Sequence, residues 1–234
     1  MKRRLLIIST SFLIILLLLF STYKVMNSRT FQFFDGITDK VETNQKIVAL
    51  TFDDGPTENT NQILPLLKKY NIQATFFLIG NEIEEHSKEA QKIVNAGHQV
   101  GNHTYSHKRM VFKSPSFIQD EIIKTDELIR KLGYKKEIDF RPPNGKKLVG
   151  LPYYLSKVNK ETITWNLEPD NHSNTTEGKI NYVIEKVTPG SIILLHPMYD
   201  KTGEEIKVIE GIIQTLLDKG YTFTTVDALQ KLND

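Results

Sequence analysis

Apolar and polar positions divide the chain into two unlike parts. From Leu5 to Tyr23 nineteen residues run without a charge. As a helix they would span about 28 Å, close to the thickness of a bilayer's hydrocarbon core. The run is longer than the ~7–15 residues of a secretory h-region, and Ser21–Arg29 carries no A-x-A-like cleavage pattern. A retained, single-pass anchor is therefore expected rather than a cleaved signal peptide. Lys2, Arg3 and Arg4 precede the run, against Lys24 and Arg29 after it. That bias places the N-terminus in the cytoplasm and the rest of the chain outside, at the cell membrane. Residues 1–26 read as a basic stub and anchor. Residues 27–45 read as a polar stalk carrying Phe31, Phe33 and Phe34, and residues 46–234 as the folded domain.

From Lys46 onward the pattern alternates. Short runs rich in β-branched and aromatic residues lead into longer stretches of helical period. Strands are expected at Ile47–Phe52, Ala74–Ile79, Gln99–Asn102, Ile138–Phe140, Thr162–Trp165, Ser191–Leu195 and Tyr221–Thr224. Helices are expected from Asn59-Thr60 to about Tyr70, from Asn81 to Gly97, and from Ser114-Pro115 to Gly133. A last one carries Ile206, Ile209, Ile212, Ile213, Leu216 and Leu217 and ends at Gly220. Strands alternating with helices argue an α/β fold with a parallel sheet. A closed or nearly closed β/α barrel of about seven strands fits at least as well as an open, doubly wound sheet. No glycine-rich phosphate fingerprint follows the first strand, which weakens a nucleotide-binding fold.

Charge and composition narrow the class. Five of the 30 basic residues lie within residues 1–30, where no acidic residue occurs, so the domain is mildly acidic. Nucleic-acid binding is not expected of it. The chain has no cysteine. A disulfide scaffold, a thiolate metal site and a Cys nucleophile are excluded, and any metal must be held by His, Asp or Glu.

In a β/α barrel the chemistry gathers where strands end. The first strand ends in Thr51-Phe52-Asp53-Asp54-Gly55-Pro56. If it continues through the two carboxylates they point in different directions, although Asp-Gly-Pro also reads as a turn. The third ends in His103-Thr104-Tyr105-Ser106-His107. Two histidines at i, i+4 share a face if the segment is helical, a common zinc-binding spacing, and Glu is absent between them. The fourth ends in Arg141-Pro142-Pro143-Asn144-Gly145, a stiff loop that can aim a backbone N–H at an oxyanion, with an arginine able to pair with a carboxylate. The sixth ends in His196-Pro197, placing a histidine where a general acid or ligand could act. His86, His98 and His172 lack such surroundings and read as structural or surface residues.

Together these segments resemble the polysaccharide deacetylases, the NodB-like enzymes of carbohydrate esterase family 4, from about Lys46 to Leu232. The motif T-F-D-D-G-P is complete at Thr51–Pro56, H-[ST]-x-x-H falls at His103–His107, and L-x-H falls at Leu194–His196. R-x-P-[YF]-G appears with Asn144 in place of the aromatic. The Asp-Trp motif keeps Asp170 but has Asn171 where Trp is usual. The resemblance implies a distorted (β/α) barrel that removes acetyl groups from N-acetylglucosamine in peptidoglycan or chitin-like glycans. It implies one divalent metal, most often zinc, with cobalt, manganese or nickel possible, held by Asp54, His103 and His107. It implies Asp53 as base, Arg141 orienting Asp53, the Asn144 backbone N–H on the oxyanion, Leu194 in the acetyl pocket, His196 as acid, and Asp170 holding His196. Two other functions stay open: an O-acetyl polysaccharide esterase, and a non-catalytic glycan-binding protein on the same scaffold. The presence of Asp53, Asp54, His103, His107 and His196 together argues against a decayed site.

Overall fold

The computed structural model describes residues 2–34 and 36–233. A long helix, α1 (Lys2–Asn27), leads into a short strand β1 (Ile37–Thr38). Then follow β2 (Ile47–Gly55), α2 (Thr60–Lys69), β3 (Thr75–Leu78), α3 (Gly80–Glu85), α4 (Ser87–Asn95) and β4 (Gln99–Asn102). The second half comprises α5 (Pro115–Lys131), α6 (Gly150–Lys157), β5 (Thr162–Ile163), α7 (Thr176–Lys186), β6 (Ile192–Leu195), α8 (Glu204–Asp218), β7 (Thr222–Thr224) and α9 (Val226–Gln230).

The strand β2 is the hub, and its ladders are all parallel. β6 runs along one edge, pairing Ala49–Phe52 with Ile192–Leu195. On the other edge β7 takes Ile47–Ala49, and β3 takes Thr51, Phe52 and Gly55. β4 extends the sheet beyond β3, and β1 pairs with β5 in a separate two-stranded ladder. Single bridges join Phe140 to Asn102 and to Thr162, and Leu167 to Ile193.

Alternation along the strands sorts two cores, because successive side chains point to opposite faces. Val48, Leu50, Phe52, Phe76, Leu78, Ile193 and Leu195 pack with the helices, meeting Ile63, Leu67, Ile93, Ile209, Ile212 and Leu216. Ala49, Phe77, Ile192 and Leu194 pack on the other face with Ile163, Trp165, Val226 and Leu229.

Three expectations change. The strand at Ile138–Phe140 is not a ladder strand. Only Phe140 bridges, because Pro142 and Pro143 follow at once and supply no N–H to extend a ladder. The strand at Thr162–Trp165 is two residues long, and β1, drawn from the expected stalk, pairs with it. The helix expected from Asn81 to Gly97 is two helices broken at His86, whose φ −115° and ψ 45° are not helical. Its first turn is anchored from outside: the Gly80 and Asn81 N–H groups donate to the Thr104 and Tyr105 carbonyls.

The helix α5 follows its caps. Ser114 Oγ accepts from Phe117 N at 3.2 Å, Pro115 opens the first turn, and Gly133 beyond the end takes φ +82°. The apolar side chains of α1 are exposed from Leu5 to Phe20, and a window within Arg3–Asn27 has mean hydropathy 2.6. The segment 36–45 lies along the domain: Thr162 N donates to the Gly36 carbonyl, and Val41 is buried with its N–H on the Gly190 carbonyl.

Candidate active site

Asp53 sits on the inner face of β2, two residues beyond Thr51, and is buried. Arg141, fully buried, donates through Nη1 to Asp53 Oδ1 at 2.8 Å and to Thr51 Oγ1 at 2.8 Å. Its Nε and Nη2 donate to the Ile163 and Thr164 carbonyls, and its guanidinium lies 4.0 Å from the Phe77 ring centroid. A charge taken wholly out of water needs such complete pairing. Phe140, the bridge between β4 and β5, delivers Arg141 to that place.

Asp54 adopts φ +67°, a left-handed conformation uncommon for a residue other than glycine. Its Oδ1 faces His107 Nε2 at 3.1 Å and His103 Nε2 at 3.4 Å. His103 Nε2 also lies 3.6 Å from Asp53 Oδ2. The two rings are 4.9 Å apart at centroid. His103 Nδ1 donates to the Arg141 carbonyl at 2.7 Å, since a carbonyl can only accept, so Nε2 is the nitrogen turned toward the carboxylates.

The histidines meet through a loop, not a helix. Thr104 and His107 take φ +70° and +54°, and the loop is stitched by side chains. Thr104 N donates to Asn102 Oδ1 at 2.8 Å, and His107 N donates to Thr104 Oγ1 at 3.1 Å. Glu121, buried on α5, accepts from Tyr105 N, Ser106 N and Ser106 Oγ at 3.0, 2.8 and 2.7 Å. Neither Glu121 nor Asn102 carries a sequence signal for this task. Glu121 reads as one more polar position of a helix. Left-handed residues at Asp54, near the end of β2, and at Thr104, His107 and Asn144, in the following connections, all fall in this cluster, where backbone strain is commonly stored.

Electrostatics follow the geometry. Burial works against charge on Asp54, but His103, His107 and His196 outweigh it and hold its carboxyl down at about 2. Burial, with the neighbouring His103, pushes His107 down. Asp54 Oδ1 is shielded from solvent and has no hydrogen-bond partner. Donor atoms of Asp54, His103 and His107 all lie within 4.8 Å of one another. One carboxylate oxygen left without a proton donor and two imidazole nitrogens turned toward it form a donor set that fits a divalent cation of the zinc type.

His196, at the end of β6, is held by Asp170, with Nδ1 donating to Oδ2 at 2.9 Å. Burial alone would lower its pKa. The bond to Asp170 and the Asp53 and Asp54 carboxylates reverse that and lift it to about 9. Asp170 Oδ1 is paired with Lys179 of α7 at 2.6 Å, and Lys179 also pairs with Glu205 of α8. That network was not legible, because nothing in the sequence marks α7 as adjoining the site. Asn144 lies in a tight turn at φ +55°, with Oδ1 accepting from Arg109 Nε at 3.1 Å. Asn171 is exposed, and His172 beside it stacks on Tyr182 at 3.8 Å. Leu194 lies on β6, two residues before His196. It pairs with Thr51 on the inner face of the sheet and is fully buried beside Phe77 and Trp165.

A carboxylate clamped by arginine, a His–His–Asp donor set and an Asp-supported histidine converge in one cluster, an arrangement suited to hydrolysis. A family model described as polysaccharide deacetylase matches residues 40–163. The chain is 30 % identical over 197 residues to a peptidoglycan-N-acetylglucosamine deacetylase of Bacillus cereus, covering 82 % of this chain and 92 % of that one. It superposes at a TM-score of 0.78 on a crystal structure of a peptidoglycan N-acetylglucosamine deacetylase bound to a naphthalenyl N-oxidanyl-benzamide, with 33 % identity over 82 % of this chain and 92 % of that one. A family 4 acetyl xylan esterase of Clostridium thermocellum, in complex with cobalt, superposes at 0.72 with 34 % identity over 80 % and 91 %. The chain belongs to the polysaccharide deacetylase family, carbohydrate esterase family 4, and is a polysaccharide N-deacetylase.

Proposed function

We propose that the chain removes N-acetyl groups from N-acetylglucosamine units of a cell-wall glycan, peptidoglycan or a chitin-like oligosaccharide, and releases acetate. The observation that carries this reading is the unpartnered Asp54 oxygen between His103 and His107, beside an Asp53 already clamped by Arg141. Asp54, His103 and His107 would hold one divalent cation, most simply zinc. When bound, such a cation supplies Lewis acidity and lowers the pKa of water.

The chain's own residues do the rest. Asp53, oriented by Arg141 through Oδ1, takes the proton of the attacking water with Oδ2. The Asn144 backbone N–H donates to the oxyanion that develops on the acetyl carbonyl. His196 keeps one proton on Nδ1 for Asp170 and gives the Nε2 proton to the departing amine. An amine leaves poorly unless protonated, so a raised His196 suits the task. Asn144 in place of an aromatic alters the groove wall where sugars stack, and Asn171 in place of Trp removes one wall of the acetyl-methyl pocket. Leu194 lines the pocket that takes the acetyl group, and Trp165 packs beside it.

The proposal extends to the organisation of the chain. Residues 1–26 anchor it with the N-terminus in the cytoplasm, 27–45 connect, and 46–234 form the extracytoplasmic domain. Its strands and single bridges wrap as a distorted (β/α) barrel. Acetate release from peptidoglycan, chitin oligomers and acetylated xylan tests the function. Release from the amide substrates, abolished by a chelator, is expected. Release from acetylated xylan alone would instead establish the O-ester reading, which the 34 % identity to an acetyl xylan esterase makes specific. No release from any of the three would leave a glycan-binding protein.

A further inference from the structure

Four aromatic side chains form an exposed cluster immediately after α1. Phe31, Phe33, Phe34 and Tyr153 are 47, 40, 51 and 50 % exposed. Successive ring centroids are 5.5, 6.4 and 5.4 Å apart, so the rings make one contiguous surface. Tyr153 and Lys157 are exposed one turn apart on α6, with exposed Val149 just before the helix, and Lys157 Nζ lies 5.4 Å from the Tyr153 ring. A soluble surface seldom leaves such a group of aromatics in water without a use.

The connection to α1 is short and hydrogen-bonded. Lys147 N donates to the Met26 carbonyl at 3.3 Å, Lys147 Nζ to the Ser28 carbonyl, and Lys146 Nζ to Asn27 Oδ1. Arg29 pairs with Glu168 at 2.6 Å and covers Trp165 at 4.6 Å. The helix therefore joins the domain without a free spacer. The 25 residues Arg3–Asn27 rise about 38 Å, more than the roughly 30 Å hydrocarbon core, so the last turn of a spanning α1 stands in the headgroup layer. Phe31 is four residues beyond Asn27, at most about 14 Å of extended chain. Tyrosine favours that layer, and phenylalanines flanked by lysines are typical of segments that lie in it.

We propose that Phe31, Phe33, Phe34 and Tyr153 form a docking surface for the bilayer interface. The rings enter the headgroup layer, with Lys157 beside them at the phosphates, and fix the rotation of the domain about α1. This rests on the reading of α1 as a membrane anchor. It narrows the substrate to glycan at the membrane face, since a domain of this size reaches roughly 40 Å. Arg29 links the docked segment to the loop bearing Glu168 and Asp170.

The chain has no cysteine, so a single introduced one takes a unique spin label. Full-length Phe33→Cys, Phe34→Cys, Leu13→Cys and Lys88→Cys would be labelled in vesicles of mixed zwitterionic and anionic phospholipid. Collision with oxygen and with a water-soluble nickel chelate then reports depth. Labels at Phe33 and Phe34 are expected to show nickel access several-fold below that of Lys88 on α4, with oxygen access raised. Leu13 should be reached by oxygen only. Nickel access at both Phe33 and Phe34 equal to that at Lys88, with Leu13 still buried, overturns the docking surface and leaves the anchor intact. Nickel access at Leu13 removes the anchor and the proposal with it. Spin–spin broadening at Phe34 that persists on dilution in lipid would show a second copy covering the cluster, and the bilayer reading falls.

Discussion

Asp53 and Asp54 are adjacent and chemically alike, yet their surroundings differ. Arg141 holds one and two histidines face the other. Asp53→Asn keeps size and hydrogen bonding but cannot accept a proton. Its kcat should fall by about 10²–10⁴, the usual worth of a general base, while zinc affinity stays within roughly a few-fold. Asp54→Asn should weaken zinc binding and recover part of its activity at high zinc. Zinc titration beside acetate release separates the two, and the reverse pattern would exchange the roles. The carboxylates, the histidines and Arg141 stood out in the sequence as polar groups just after apolar runs, in the motif order of the family they resemble. The partner of each did not, since Arg141 and Asp53 are 88 residues apart in the chain.

Among the elements, α5 has a task beyond packing. Its Glu121 takes three hydrogen bonds from the Tyr105–Ser106 stretch and thereby sets where His107 stands. Glu121→Ala leaves two backbone N–H groups and a hydroxyl without their acceptor. A loss of about 2–3 kcal/mol is expected, with zinc affinity reduced as well. Glu121→Gln, which keeps one acceptor oxygen, should lose less of both. Denaturant unfolding and zinc titration of the two variants check this, and unchanged zinc affinity in Glu121→Ala would refute the positioning role. The i, i+4 spacing of His103 and His107 pointed to a helix, but left-handed Thr104 and His107 form a loop. Donors from α3 and an acceptor on α5 hold that loop, and both are tertiary.

At the scale of the whole molecule, a buried polar network ties distant parts of the chain together. Asp139 accepts from Gln99 Nε2 at 2.7 Å, and Gln99 Oε1 accepts from Thr75 Oγ1 and from Asp227 N. Burial, with the Glu161 charge adding to it, raises Asp139 to about 6. A folded-state pKa above the unfolded 3.8 means that the folded chain binds this proton more tightly. The contribution is fully present below about pH 3.8 and is lost as pH rises through 6. Asp139→Asn removes that loss. The variant should be more stable by about 3 kcal/mol at most at pH 8, and by little at pH 4. Urea unfolding of the full chain in detergent at the two pH values tests the sign, and an equal or smaller gain at pH 8 would contradict it. Periodicity, caps and side-chain chemistry are local, so the apolar N-terminal run, the order of most strands and helices and the polar residues following the strands could be read along the chain. The break at His86, the reduction of Ile138–Phe140 to one bridge, the loop between His103 and His107 and the Asp170–Lys179–Glu205 network depend on the tertiary structure. Each depends on which distant backbone or side chain occupies the neighbouring space, and no local pattern records that.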